Sequence, residues 1–153
     1  MSEAETRAHS ALHVLKGAAQ KVLETNLTAS VYVSGGSGRL TVQAVRKPTQ
    51  EEMKRVEQEA NAVIREGAEV LEFEMEREEA EKHFGDAIYD MFPVPNEVSL
   101  LRIVRIPNWN VNCCREKHVE NTSEIGEIRL EGTRFRNNKQ LLEISFRLLN
   151  HDR

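Results

Sequence analysis

Side chains that bind metal ions recur at a four-residue spacing toward both ends of this sequence. His9 and His13 stand four residues apart in a segment with helical periodicity, and Cys114 and His118 repeat the spacing far downstream. Because residues four apart on a helix lie about one turn apart on one face, the first two imidazoles can approach a single ion. If both pairs bind the same ion, the fold must pack the first helix against the later segment.

A thiolate and three imidazoles form a ligand set that suits tetrahedral zinc. The first pair lacks the glutamate of the H-E-x-x-H peptidases, and the H-x-E and P-C-x-x-C pattern of nucleobase deaminases is also absent. Each pair alone is also consistent with two ordinary histidines on a helix and with a partly buried pair of thiols. Cys113 is either a spare buried thiol, which we favour, or half of a vicinal disulfide. Two kinds of zinc site are then consistent with the sequence. One is a site with an open coordination position, and the other is a site closed by four protein ligands that only stabilises the fold. His83 and His151 have no such partners and are predicted to be surface residues.

Length and composition predict one soluble domain, 1–153, because 153 residues suffice to bury their own core. No apolar run approaches the roughly 20 residues of a membrane span, and the N-terminus lacks the apolar stretch of a secretory signal. Two adjacent cysteines cannot form a disulfide framework, so we expect a cytoplasmic protein. The formal net charge of −4 argues against strong non-specific nucleic-acid binding but allows local contacts with a few phosphates.

Hydrophobic periodicity predicts an α+β fold, with a mixed or antiparallel sheet and helices packed on it. The predicted helices are 3–24, a helix from Thr49 to Gly67, and 77–84. The predicted strands are 29–33, 40–45, 70–75, 98–106, 127–131, 133–136 and a last strand through 142–148. Residues 107–123 are predicted to be an irregular loop, and the glycines of 34–38 to form a hairpin turn.

Three motifs together resemble a known family: HSALHVL at 9–15, CREKH at 114–118 and TSEIG at 122–126. In this order they resemble the second additional, editing domain of alanyl- and threonyl-tRNA synthetases, and most closely the short freestanding alanyl-tRNA editing proteins, the AlaX family. The likeness extends over essentially the whole chain through REEAEKHFGDAIYDMFPVP, WNVNCC and RFRNNKQLLEISF. Arg115 and Glu116 stand where the synthetase-embedded forms usually carry two glycines.

This resemblance implies a trans-editing hydrolase that cleaves the ester of mischarged tRNA, with Ser-tRNA(Ala) as the expected substrate. It implies Zn²⁺ held by His9, His13, Cys114 and His118, and recognition of the serine hydroxyl by Thr28. We expect three firm ligands and one replaceable position open to a water or to the substrate's α-amino group, with His118 the weak ligand because it lies in the predicted loop. From the residues alone, Thr28 would be a strand-edge threonine with its hydroxyl in water.

The implied partner is the acceptor CCA end of the tRNA, with transient contact to alanyl-tRNA synthetase as a further expectation and no membrane. An aminoacyl ester is already activated, so no cofactor beyond the metal is expected. Candidate phosphate contacts, or simply solvated bases, are Lys16, Arg39, Arg115 and Lys117. Two other functions stay open: a non-catalytic, zinc-stapled module that binds tRNA or a synthetase, and a zinc hydrolase of small esters or amides.

Overall fold

Three α-helices and seven strands make up the part of the chain that the computed structural model describes, residues 2–25 and 27–149. The predicted surface residue His151 lies outside these ranges. The helices are α1 (Glu3–Leu23), α2 (Gln50–Glu66) and α3 (Arg77–Phe84). The strands are β1 (Thr28–Ser34), β2 (Ser37–Gln43), β3 (Leu71–Glu76), β4 (Leu100–Ile106), β5 (Asn110–Cys113), β6 (Glu127–Arg136) and β7 (Leu141–Leu149).

The strands form two antiparallel sheets, which confirms the predicted α+β class. One sheet has the order β1-β2-β7-β6 and the other the order β3-β4-β5. Every pairing within them is antiparallel. Strand β6 runs continuously past an irregularity between Leu130 and Gly132, where two separate strands were predicted. Such a bulge inserts a residue without ending the pairing.

Both long helices begin at capping boxes. In α1 the amide of Glu5 donates to the Ser2 hydroxyl at 3.1 Å, and in α2 the amide of Glu52 donates to the Thr49 hydroxyl at 3.1 Å. Each glutamate accepts in return from the backbone N–H of its capping residue, so two otherwise unpaired donors are satisfied. Gly67 ends α2 in the left-handed conformation, with φ +73°, which glycine adopts without a steric cost.

Helix α1 is the central element of the fold, because it packs against α2, β1, β2 and β5. Its apolar residues from Ala8 to Ala19 are buried, and they join α2 and the four-stranded sheet in the main core. A smaller core lies beneath the three-stranded sheet around Ala80, Ile88, Leu101 and Ile103. Among the described residues, no helix is both long and apolar enough to cross a membrane.

The prediction of an irregular loop over 107–123 was wrong, because this segment contains strand β5 and a 3₁₀ turn at Thr122–Glu124. Strand β5 pairs with β4 at the edge of the smaller sheet. Two of its four side chains are the asparagines Asn110 and Asn112, which bond to neighbouring elements rather than to an apolar core. The other two, Val111 and Cys113, pack against the smaller core, so the alternation has just two apolar positions and is a weak signal for a strand.

Candidate metal centre

His13, Cys114 and His118 come together on one side of α1. Their ligand atoms all lie within 4.8 Å of one another. The Cys114 Sγ is 3.5 Å from His118 Nε2, and the centroids of the two imidazole rings are 4.7 Å apart at an interplanar angle of 63°. Three of the four predicted ligands, from both distant pairs, therefore face a common point.

His9 lies one helical turn before His13 and does not belong to this converging group. Its Nε2 is 4.0 Å from Oε1 of Glu116, and its side chain is 18% exposed. The structure thus separates the predicted ligands into a buried or half-buried trio and a fourth imidazole that faces an acidic residue beside it.

Burial sets the protonation of the trio. It lowers the pKa of His13 well below its ordinary value, and the neighbouring His118 and Lys16 lower that pKa further. Burial also lowers the pKa of His118 and raises the pKa of the Cys114 thiol. Two neutral imidazoles and a thiol that gives up its proton to a metal form a donor set suited to zinc, so the residues fit such an ion.

Glu72 on β3 holds the His118 ring in place. Its Oε2 accepts from His118 Nδ1 at 2.7 Å and from the His118 backbone amide at 3.0 Å, and it lies 3.0 Å from Arg102. Since the carboxylate only accepts, Nδ1 carries the hydrogen and Nε2 presents its lone pair toward Cys114. His118, which we expected to be the loosely held ligand, is therefore fixed at both its ring and its backbone.

Ser10, between the two histidines of α1, positions the same segment from the other side. Its hydroxyl accepts from the backbone amide of Val119 at 2.9 Å and donates to the Thr6 carbonyl at 2.8 Å. The middle of the HSALH motif therefore ties the chain next to His118 to the helix that carries His13. Sequence reasoning did not assign roles to Ser10 or Glu72.

Side chains of the β5 region attach directly to carbonyls of α1. Trp109 Nε1 donates to the Val14 carbonyl at 3.0 Å, and Asn110 Nδ2 donates to the His13 carbonyl at 2.7 Å. Cys114 follows this strand, so these bonds bring the thiol to the helix face that carries His13. Gly17 makes the approach possible, since a Cβ there would lie 2.2 Å from Trp109 Nε1.

Replacing Gly17 with alanine is expected to destabilise the fold by about 1–3 kcal/mol, as overpacked substitutions do. Inside a helix the same change normally stabilises by roughly 0.5–1 kcal/mol, so the sign is diagnostic. Urea denaturation of the purified variant measures the effect, with fluorescence of Trp109, the single tryptophan, as the probe. A variant as stable as the wild type or more stable would contradict the packing of Trp109 against α1.

Lys16 is a buried residue and neither a phosphate contact nor a solvated base. Its side chain forms an ion pair with Asp90 and donates to the side-chain carbonyl of Asn112. The other basic candidates, Arg39, Arg115 and Lys117, are exposed. In the sequence, Lys16 lies inside the mostly apolar helix segment 10–19, all of which is buried in the structure. That position was the sequence signal for a buried lysine paired with an acidic residue.

The Thr28 hydroxyl is buried and does not face water. The residue is 4% exposed, and its Oγ1 has no hydrogen-bond partner among the described residues. Its backbone carbonyl accepts from the Met91 amide at 2.9 Å, so the start of β1 lies beside the residue that follows Asp90. Buried hydroxyls are usually paired, which makes Thr28 an unusual feature of this fold.

The remaining predicted features do not belong to the converging group. The glycine turn at 34–38 lies about 20 Å along β1 from Thr28. Thr122 of the TSEIG motif donates to the Val63 carbonyl and accepts from the Ala68 amide, each at 2.8 Å, so it joins that motif to the end of α2. His83 is exposed. Cys113 packs in the smaller core, where burial raises the pKa of its thiol to about 11.

Comparison of the sequence with known proteins identifies relatives of this chain. The family described as "Threonyl and Alanyl tRNA synthetase second additional domain" matches residues 101–142. The alanine–tRNA ligase of Saccharolobus islandicus is 38% identical over 125 residues, which are 81% of this chain and 14% of that protein. That of Methanopyrus kandleri is 35% identical over 128 residues, 83% of this chain and 14% of the relative. The chain thus spans about a seventh of the length of these relatives, and it is related to the second additional domain of threonyl- and alanyl-tRNA synthetases.

Proposed function

We propose that this chain edits tRNA by hydrolysing the ester of mischarged aminoacyl-tRNA, with Ser-tRNA(Ala) as the substrate. The observation that carries the proposal is the convergence of His13, Cys114 and His118 from two distant segments in a relative of the alanine–tRNA ligase domain. Each of these segments also carries one of the motifs that resemble the editing family. The relation to the second additional domain and the donor set of the site therefore both support the proposal.

The residues that would hold zinc are His13, Cys114 and His118, with His9 or a water completing the set. Three protein ligands and one open position are typical of catalytic zinc sites, whereas structural sites are closed by four. When bound, the ion supplies Lewis-acid chemistry toward a water or an ester carbonyl. The separation of His9 from the other three ligand residues supports the open arrangement.

Selection of serine over alanine needs a group that bonds the extra hydroxyl. An activation pocket sized for alanine rejects a similar amino acid with one more hydroxyl by only about 10²-fold, so a second check is useful. Thr28 offers a buried hydroxyl without a partner among the described residues, and the family resemblance assigns it this role. A seryl group would pair with it, and an alanyl group would leave it unpaired.

Replacing Thr28 with valine is expected to lower kcat/KM for Ser-tRNA(Ala) by about 5-fold while leaving slow Ala-tRNA(Ala) cleavage unchanged, because one neutral hydrogen bond contributes roughly 1 kcal/mol. Rates on both substrates, measured side by side, give the ratio. Thr41 is a matched control, since it is an equally buried threonine in the adjacent strand β2. An unchanged seryl-to-alanyl ratio in Thr28→Val would remove Thr28 from substrate recognition.

The direct test of the function is release of labelled amino acid from Ser-tRNA(Ala) beside Ala-tRNA(Ala), with the metal content measured on the same sample. We expect fast serine release, slow alanine release and about one zinc per chain. If the protein binds zinc but releases no amino acid from seryl-, glycyl- or threonyl-tRNA, the result would instead support a non-catalytic, zinc-stapled binding module. Release without zinc would separate the editing activity from the metal.

A further inference from the structure

A charged group that the reaction outlined above does not use lies one turn beyond His13. Lys16 is 5% exposed, and its ammonium contacts both Asp90 and Asn112. Asn112 is itself buried and donates from Nδ2 to the Ile88 carbonyl at 3.0 Å. The Asp90 carboxylate is therefore held by a lysine and an asparagine that have little freedom to move.

Asp90 differs from these two neighbours because it reaches the surface. Its side chain is 34% exposed. Both Lys16 Nζ and Asn112 Nδ2 meet the same oxygen, Oδ1, the latter at 3.5 Å. Among the described residues, Oδ2 has no hydrogen-bond partner, although it is not sealed from solvent. A fixed carboxylate with one free oxygen is a binding site for a cation or a hydrogen-bond donor.

The neighbours of Asp90 indicate which cation or hydrogen-bond donor its free oxygen would bind. Lys16 and His13 are three residues apart on α1 and hence neighbours on its surface. On the other side, Met91, the next residue after Asp90, bonds through its backbone to Thr28. Asp90 is therefore linked through Lys16 to the helix that carries His13, and through Met91 to the start of β1 where Thr28 lies.

We propose that Asp90, anchored by Lys16 and Asn112, binds the α-ammonium group of the aminoacyl ester. The inference rests on the proposed function. A water and the substrate's α-amino group were the two occupants expected at the replaceable metal position, and the inference assigns the amino group to Asp90 instead of the metal. In a seryl ester the ammonium, the hydroxymethyl group and the ester carbonyl are all attached to one carbon. With the hydroxyl at Thr28 and the ester at the converging ligands, the ammonium falls beside Asp90.

This contact has a consequence for substrate range. Every aminoacyl ester carries the ammonium, so Asp90 adds affinity without choosing serine over alanine. An N-acylated ester has a neutral, bulkier amide at the same place. The site therefore rejects N-acylated aminoacyl-tRNA, whatever its side chain.

The test uses a non-hydrolysable analogue, 3′-serylamido-3′-deoxyadenosine, with a free or an acetylated α-amino group. Binding is measured by calorimetry at about pH 6.5, where an α-amino group is protonated. We expect the wild type to bind the free amine about 10–100-fold more tightly, the range of a charged hydrogen bond. Asp90→Asn should lose at least about 10-fold of that preference while its affinity for the acetylated analogue stays unchanged. The exposed Asp86 supplies the matched control, since Asp86→Asn should keep the preference.

Asp90→Asn leaves the buried Lys16 ammonium without its carboxylate, which can destabilise the fold. The double variant Lys16→Met with Asp90→Asn removes both charges, and circular dichroism verifies that it folds. Both variants should lose the amine preference. The inference is overturned if either folded variant keeps it, or if the wild type binds the two analogues equally.

A substrate pair separates this inference from the function on which it rests. If the wild type does not hydrolyse Ser-tRNA(Ala), the proposed function fails. If it hydrolyses Ser-tRNA(Ala) and N-acetyl-Ser-tRNA(Ala) at equal rates, the function stands and the role of Asp90 fails. We expect hydrolysis of the first and slow or undetectable hydrolysis of the second.

Discussion

Cys114→Ala is expected to remove the bound zinc and to lower hydrolysis of Ser-tRNA(Ala) by roughly 10³-fold or more. The thiol is the only sulfur among the three converging ligands of the described chain, and its loss leaves two imidazoles, His13 and His118. Lewis-acid stabilisation contributes several kcal/mol, and each 1.36 kcal/mol is a factor of ten in rate. Zinc stoichiometry and single-turnover deacylation, measured on the same preparation, check both parts.

Cys113 provides a matched control for this change. It is the adjacent cysteine, it is likewise half-buried and free, and it packs in the smaller core rather than at the converging ligands. Cys113→Ala should therefore retain zinc and activity and lose only a modest amount of stability. If Cys114→Ala kept a full complement of zinc, the ligand assignment would be wrong. If it lost zinc and kept its rate, the metal would not take part in the reaction.

The second large effect is expected at Glu72, which touches no substrate in the proposed reaction. Glu72→Gln should weaken zinc binding by about 10–100-fold, the usual result of removing the carboxylate behind a metal-binding histidine. The change preserves the side-chain size but removes the charge that faces His118 Nδ1 at 2.7 Å and Arg102 at 3.0 Å. Competition against a chelator of known affinity measures the zinc affinity directly, apart from activity.

Glu74 is the control for this experiment, because it lies on the same strand two residues away and on the same face. It is exposed, and the ion pairs of the described residues do not include it. Glu74→Gln should bind zinc as the wild type does. Equal affinities for the two variants would mean that Glu72 does not tune the site.

Features that depend on nearby residues could be predicted from the sequence. The capping boxes of α1 and α2 each join residues three apart, so the pattern of side chains contains the whole interaction. Gly67 ends α2 for an equally local reason, since its positive φ is a property of one residue. The pairs of predicted ligands belong to this class too, because their spacing within each segment is all that the ligand hypothesis used.

Features that depend on contacts between distant segments were missed. Strand β5 has only two apolar positions in alternation, Val111 and Cys113. Its two asparagines are held by distant carbonyls, Asn110 by one of α1 and Asn112 by one near α3. Lys16 was grouped with surface bases, although its partners Asp90 and Asn112 lie far along the chain. In each case a polar side chain is satisfied by a group whose nearness arises only on folding.

The sequence by itself determined the helix boundaries, the α+β class and the candidate metal ligands, since these follow from local bonds, periodicity and side-chain chemistry. Only the tertiary structure decided that His13, Cys114 and His118 converge while His9 stands apart, and that the Thr28 hydroxyl is buried. The physical reason is that both outcomes depend on how α1 is packed. Carbonyl bonds from β5 and the hydroxyl of Ser10 bring distant segments to the helix, and no spacing along the chain encodes those distances.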